Sequence, residues 1–203
     1  MRKLVRAALA ALVILLGPAV AHATTSTETI VFMRHGEKPS SGNGQLTCQG
    51  LQRSLALPDM LISRYGNAKW FYAPDPNVKI SDPAGSFYYA RPLATIEPTV
   101  IREGLSVNTS VGYDNVSGLE SLLLRSSKAA DTIFVAWEHI YLQKTVQDII
   151  NRYGGGSAVP AWQSGDYDSL YVVHVTWTNG VITSAHFTHE YEGLNNMSTS
   201  CPS

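Results

Sequence analysis

Arg34 and His35 stand at the end of the apolar run Ile30–Met33, and Gly36, Glu37 and Lys38 follow them without a gap. The guanidinium of Arg34 is a planar fork suited to phosphate or carboxylate. His35 has the chemistry of a base, a metal ligand or a nucleophile. Gly36 permits a tight turn beside them. Two further places repeat the theme: Arg91 follows the short aromatic segment Phe87–Ala90, and Glu138-His139 follows the apolar run Thr132–Trp137. Two guanidinium groups and two imidazoles brought to one place make a dense anion site. Phosphoryl groups suit it, because arginine forks bind their equatorial oxygens bidentately and phosphoryl transfer needs alignment and charge neutralisation above all. No P-loop spacing occurs, which argues against a nucleotide held with magnesium.

These residues converge only if the segments before them are strands of one sheet, whose carboxyl edge is where open α/β sheets bind ligands. Residues 30–34 and 131–137 read as buried strands, and 69–72 as a shorter aromatic one. Thr47 reads as the N-cap of a helix carrying Leu51, Leu55, Leu57, Leu61 and Ile62, stopped at Tyr65-Gly66-Asn67. Residues 95–103, 115–127 and 140–153 also carry helical spacing, and Gly154-Gly155-Gly156 ends the last of them. Residues 73–77 and 81–85 read as loops, and 105–107 as a brief extended piece. Asn179-Gly180 joins two late strands, 169–177 and 181–189, as a hairpin. Strands alternating with helices predict a three-layer α/β/α sandwich with a mostly parallel central sheet, finished by an antiparallel pair. His174, His186 and His189 fall in that closing hairpin. An extended strand puts His186 and His189 on opposite faces, so they read as hairpin residues and no metal site is expected.

Composition narrows the function classes. A chain of 203 residues with a formal charge of −1 has no global basic field for nucleic acid. Arg2, Lys3 and Arg6, the apolar run Ala7–Leu16, Gly17-Pro18 and Ala21-His22-Ala23 form the pattern of a secretory signal peptide. Cleavage after Ala23 leaves 180 of the 203 residues, with no stable membrane insertion. It also removes three cations, so fifteen basic side chains become twelve against sixteen acidic ones, a formal charge of −4. Residues 24–203 then read as one domain, without internal repeats or a dividing linker. The short basic start and compact apolar run point to a secreted protein of the bacterial periplasm. Cys48 and Cys201 are the two cysteines, and an oxidising compartment favours one disulfide tying the C-terminal tail to the body.

Taken in order, these residues resemble the histidine phosphatase superfamily, which has the phosphoglycerate mutase-like fold. The resemblance lies in Arg34-His35-Gly36 after an apolar strand and in Leu46-Thr47-Cys48-Gln49-Gly50-Leu51 at the first helix. It continues in Arg91 with Thr95 four residues on, in His139 after a strand, and in Asp166–Val173 as a late strand. It implies that His35 attacks phosphorus and carries the phosphoryl group. Arg34, Arg91 and His139 would be the phosphate-binding residues, holding the transferring oxygens. It implies no metal and no cofactor, and a small phosphorylated substrate or inorganic phosphate as the partner. A carboxylic acid protonates the leaving oxygen; Glu138 is the first choice and Glu37 the second. Ile140 stands where one branch of the family has an acid after the second histidine. Lys38 and Pro39 match the phytase-like extension only in part, and Glu37-Lys38-Pro39 is not the Ser-x-Trp-Asn of the glycolytic mutases. The expected activity is therefore metal-independent phosphomonoester hydrolysis. The alternative is a non-catalytic phospho-ligand-binding or envelope interaction protein that keeps the anion pocket.

Overall fold

The computed structural model describes residues 23–203; the expected signal peptide, all but Ala23, lies outside them. β1 (Thr25–Arg34) is buried on both faces, which is why its core half reads as an unbroken apolar run. Its side chains alternate: Val31 and Met33 enter one core, Ile30 and Phe32 the other. β6 (Thr132–Trp137) does the same beside it, pairing in parallel from Thr29↔Thr132 to Arg34↔Trp137. β2 (Trp70–Tyr72) and β5 (Val107–Asn108) extend the parallel part beyond β6. β7 (Ser169–Thr178) pairs antiparallel with the other side of β1, and β8 (Val181–Tyr191) pairs antiparallel with β7. The sheet order is β5-β2-β6-β1-β7-β8. At the hairpin tip both Asn179 (φ 52°) and Gly180 (φ 78°) adopt the left-handed backbone that such a turn demands.

The helices cover both faces. α1 (Cys48–Tyr65) and α2 (Arg91–Glu103) pack on the Val31–Met33 face through Leu57, Leu61, Ile96 and Val100. α3 (Val116–Leu123) and α4 (His139–Tyr153) pack on the opposite face through Leu119, Leu142, Val146 and Ile149. This is the three-layer α/β/α arrangement with a mostly parallel sheet. Among the described residues no helix is long and apolar enough to cross a membrane.

Three local expectations are corrected. The segment 81–85 is not a plain loop: β3 (Lys79–Asp82) and β4 (Gly85–Tyr88) form a separate antiparallel ribbon turning at Pro83-Ala84. α2 begins at Arg91 rather than Thr95, because Pro92 in its first turn has its φ preset for a helix and lacks only an N–H that has no helical partner there. Arg91 is therefore the first residue of a helix, not the end of a sheet strand. The third correction falls on 115–127, where α3 stops at Leu123 and a 3₁₀ turn, Ser126–Lys128, follows. Asn115 caps α3 by accepting from Gly118 N at 2.9 Å.

Candidate active site

β1 and β6 are the two central strands, and the helices that follow them lie on opposite faces of the sheet. Their connections therefore part at the carboxyl edge and leave a crevice between them, the topological switch point of such a sheet. Arg34, His35, Glu138 and His139 all arise there. The peptide N–H of His35 continues the ladder by donating to Trp137 O at 3.2 Å.

Gly36 owes its place to a close approach rather than to a left-handed backbone. A Cβ on Gly36 would sit 2.9 Å from Gly50 O, and one on Gly50 would sit 2.5 Å from Glu37 O. Two glycines back to back let the first turn of α1 press against the chain just after His35. Thr47, the N-cap of α1, locks this contact: its N–H donates to Glu37 O at 2.8 Å, while its hydroxyl accepts from Gly50 N at 3.1 Å. On the other side Gly36 N donates to Thr95 Oγ1 at 2.9 Å, and that hydroxyl donates to Arg91 O at 2.8 Å. Thr95 thus ties the turn carrying His35 to the helix carrying Arg91.

His35 is 2% exposed. Its Nδ1 lies 2.7 Å from Gly36 O, an acceptor, so Nδ1 carries the proton and Nε2 keeps its lone pair. Burial pushes the imidazole well below the ordinary value of 6.5, against the Gly36 bond and together with the nearby charges of Arg91, Arg34 and His139. The side chains expected to gather around His35 are close enough for their charges to act on it. Tyr89 links them physically, with its ring edge-on to His35 at 5.9 Å and its centroid 4.9 Å from the Arg91 guanidinium carbon.

The remaining groups carry engagements that the sequence did not announce. Arg34 donates through Nη1 to Ser164 O at 2.6 Å and Asp166 O at 3.0 Å, and its guanidinium lies 4.1 Å over the ring of Tyr167. It therefore pins the segment before β7 across the site. Arg91 meets Asp82, on the β3–β4 ribbon, through Nη1 at 2.6 Å, and Lys38 reaches the same carboxylate at 3.1 Å. Although burial alone would raise it, those two cations hold Asp82 below the usual carboxylate range. A loop over 81–85 gives Asp82 no assigned role; the sequence signal for the ribbon is the two short segments flanking Pro83-Ala84-Gly85.

Glu138 is the N-cap of α4. Its Oε2 accepts from Ile140 N at 2.8 Å and Tyr141 N at 3.1 Å, and its Oε1 lies 2.6 Å from His139 Nδ1. Burial works upward on this carboxyl, but His139 and the two peptide N–H groups hold it below the usual range. Glu37 faces the other way. Arg53 grips it bidentately, Nε to Oε2 at 3.0 Å and Nη2 to Oε1 at 2.8 Å, and Arg53 also contacts Glu192 and, at 3.5 Å, Asp168. Glu37 is thus part of a buried ion network under the turn, and Glu138 is the acid within range of Arg34 and Tyr89. His174 and His186 face one another across β7 and β8, and His189 Nε2 lies 2.8 Å from Ser169 Oγ.

Solved structures share this architecture. A protein assigned as phosphohistidine phosphatase SixA from Nakamurella multipartitia superposes with a TM-score of 0.56 at 16% identity, over 81% of this chain and 96% of its own. The protein histidine phosphatase SixA in complex with tungstate gives 0.56 at 14% identity, over 81% and 97%. The fold is that of the histidine phosphatases. A mycobacterial glucosyl-3-phosphoglycerate phosphatase also superposes, with a TM-score of 0.53 at 11% identity, over 80% and 97%. No protein-family model and no curated protein sequence matches the chain. The chain therefore shares the fold of these proteins at low sequence identity.

Proposed function

We propose that the chain is a metal-independent phosphomonoester hydrolase working through a phosphohistidine on His35. The observation that carries this reading is a buried, neutral imidazole, Nδ1 fixed on Gly36 O and Nε2 free, in the combined field of Arg34, Arg91 and His139. In this mechanism Nε2 attacks phosphorus as the bond to the leaving oxygen breaks, and Glu138 gives that oxygen its proton. The approach of a dianionic phosphate raises the Glu138 carboxyl from its depressed state to one that accepts and delivers a proton. Water then attacks phosphorus, its proton returns to Glu138, and the P–N bond breaks to release phosphate. Arg34, Arg91 and His139 offset the charge on the non-bridging oxygens in both steps. The neighbours described as phosphatases, one holding an oxyanion, support the reaction class.

The test is hydrolysis of p-nitrophenyl phosphate with and without EDTA by the wild type and His35→Ala. Turnover that survives EDTA and disappears in the variant is expected. Tight phosphate binding without turnover on any phosphoester would instead make the chain a phospho-ligand-binding protein. The reading extends to location: residues 1–23 direct export to the bacterial periplasm and are removed, leaving 24–203 as one domain. The bridge between Cys48 and Cys201 fits an oxidising compartment. N-terminal sequencing of the protein from a periplasmic fraction checks this, with a start at Thr24 expected.

A further inference from the structure

Buried donors without partners collect at the crevice. Among the described residues Arg34 Nε, Arg91 Nε and the Tyr89 hydroxyl are all sequestered from solvent and meet no acceptor. Leaving a buried donor unpaired costs about 1–3 kcal/mol, so a cluster of them calls for an acceptor that arrives from outside. For the two arginines an oxyanion is already implied by the proposed reaction. Tyr89 is not part of that mechanism; its oxygen lies beside the donor-only Arg91 guanidinium, and its proton meets no acceptor. Its ring is fully buried, edge-on to His35 at 5.9 Å and to Tyr113 at 5.2 Å. A phenylalanine would fill the same space. The hydroxyl feels the charges of Glu138, Arg91 and Arg34 at once, which puts it among the groups that surround the expected phosphoryl position.

Resting on the phosphatase reading, we propose that Tyr89 is a further catalytic residue, its hydroxyl donating a hydrogen bond to a non-bridging oxygen of the transferring phosphoryl group. Arg34, Arg91, His139 and Tyr89 then all offer that group donors. Burial, reinforced by Glu138, raises the phenol well above its ordinary value of 10, so it keeps its proton and acts as a donor, not as an acid or a nucleophile. The local sequence explains the placement. Tyr88 points outward on β4 and Tyr89 inward, two residues ahead of the arginine that opens α2. The same short segment therefore delivers a cation and a neutral donor to one anion.

Tyr89→Phe in the full chain tests this, read by calorimetric titration with inorganic phosphate and orthovanadate, by kcat and KM on p-nitrophenyl phosphate, and by Tm. The expected result is an unchanged or higher Tm with oxyanion affinity and kcat/KM each lower by about tenfold to a hundredfold, the usual range for one hydrogen bond to a charged group. A folded variant with wild-type affinity and kcat/KM overturns the proposal and leaves the phosphatase reading intact. A wild type that neither binds oxyanions nor turns over overturns both. Should the variant fail to fold, 3-fluorotyrosine placed at position 89 gives a ¹⁹F signal. A shift on saturation with phosphate is expected, and a signal that does not move overturns the assignment.

Discussion

In the proposed mechanism the two ring nitrogens of His35 have separate jobs. Nδ1 is spent on Gly36 O, which fixes the ring and the tautomer, and Nε2 is left to face an electrophile. Because the imidazole titrates well below 6.5 in the folded chain, acid does not switch it off at mildly acidic pH. The same shift bears on stability. Above pH 6.5 neither the folded nor the unfolded chain protonates this residue. Below it only the unfolded chain takes the proton, so stability falls with pH until the lower folded pKa is passed. Urea unfolding at pH 7 and pH 5 is expected to show a loss in the wild type that is smaller in His35→Gln. Equal losses in the two proteins would remove His35 from the account. Glu138 makes a second prediction at this scale. In the proposed mechanism Glu138→Gln lowers kcat/KM by about 10²–10⁴ for alkyl phosphates, whose leaving oxygen needs a proton. With p-nitrophenyl phosphate, whose leaving group needs none, the loss stays under about tenfold. Equal losses on both substrates would show that Glu138 serves only to cap α4 and hold His139.

Secondary-structure elements deliver these residues through their ends. β1 and β6 end side by side, α4 opens on Glu138-His139, and α2 opens on Arg91. The least forgiving junction is the contact of α1 with the turn after His35, where Gly50 lies against Glu37. A methyl group at position 50 meets backbone atoms of Glu37 at 2.5 and 2.8 Å, and backbone has no rotamer by which to yield. Gly50→Ala is expected to cost about 1–3 kcal/mol of stability through overpacking. It should also lower kcat/KM by about 10²-fold, because the turn carrying His35, the proposed nucleophile, must shift. Denaturant melts and steady-state kinetics on one preparation check both. A variant with normal kinetics would show that the turn relaxes without moving His35.

Across the whole molecule the C-terminal tail is tied back to α1. The Cys48–Cys201 bridge joins the first residue of α1 to the C-terminal tail across 153 positions of sequence. Closing so long a loop restricts the unfolded chain far more than the folded one. Cys201→Ser is therefore expected to lower stability by about 2–5 kcal/mol. Urea midpoints of the oxidised wild type, the reduced wild type and the variant measure it. The last two should coincide, and a variant as stable as the oxidised wild type would show that the bridge contributes nothing. A second tie runs through Arg53, which joins Glu37, Glu192 and Asp168 beneath the turn after His35.

The sequence by itself determined the layers and the strand ends. An unbroken apolar run that stops in charge, a helix opened by Thr47 and closed by Gly66, and a hairpin at Asn179-Gly180 are local signals, and their physics is complete within a few residues. It also singled out Arg34, His35, Arg91, Glu138 and His139, because cations and imidazoles recur directly after successive apolar or aromatic segments. Only the tertiary structure decided how each is engaged. The grip of Arg53 on Glu37, the meeting of Asp82 with Arg91, the back-to-back approach of Gly36 and Gly50 and the buried hydroxyl of Tyr89 all join residues from different elements. Hydrogen bonds and excluded volume act over a few ångströms in space, and no spacing along the chain records which distant atoms will share that space.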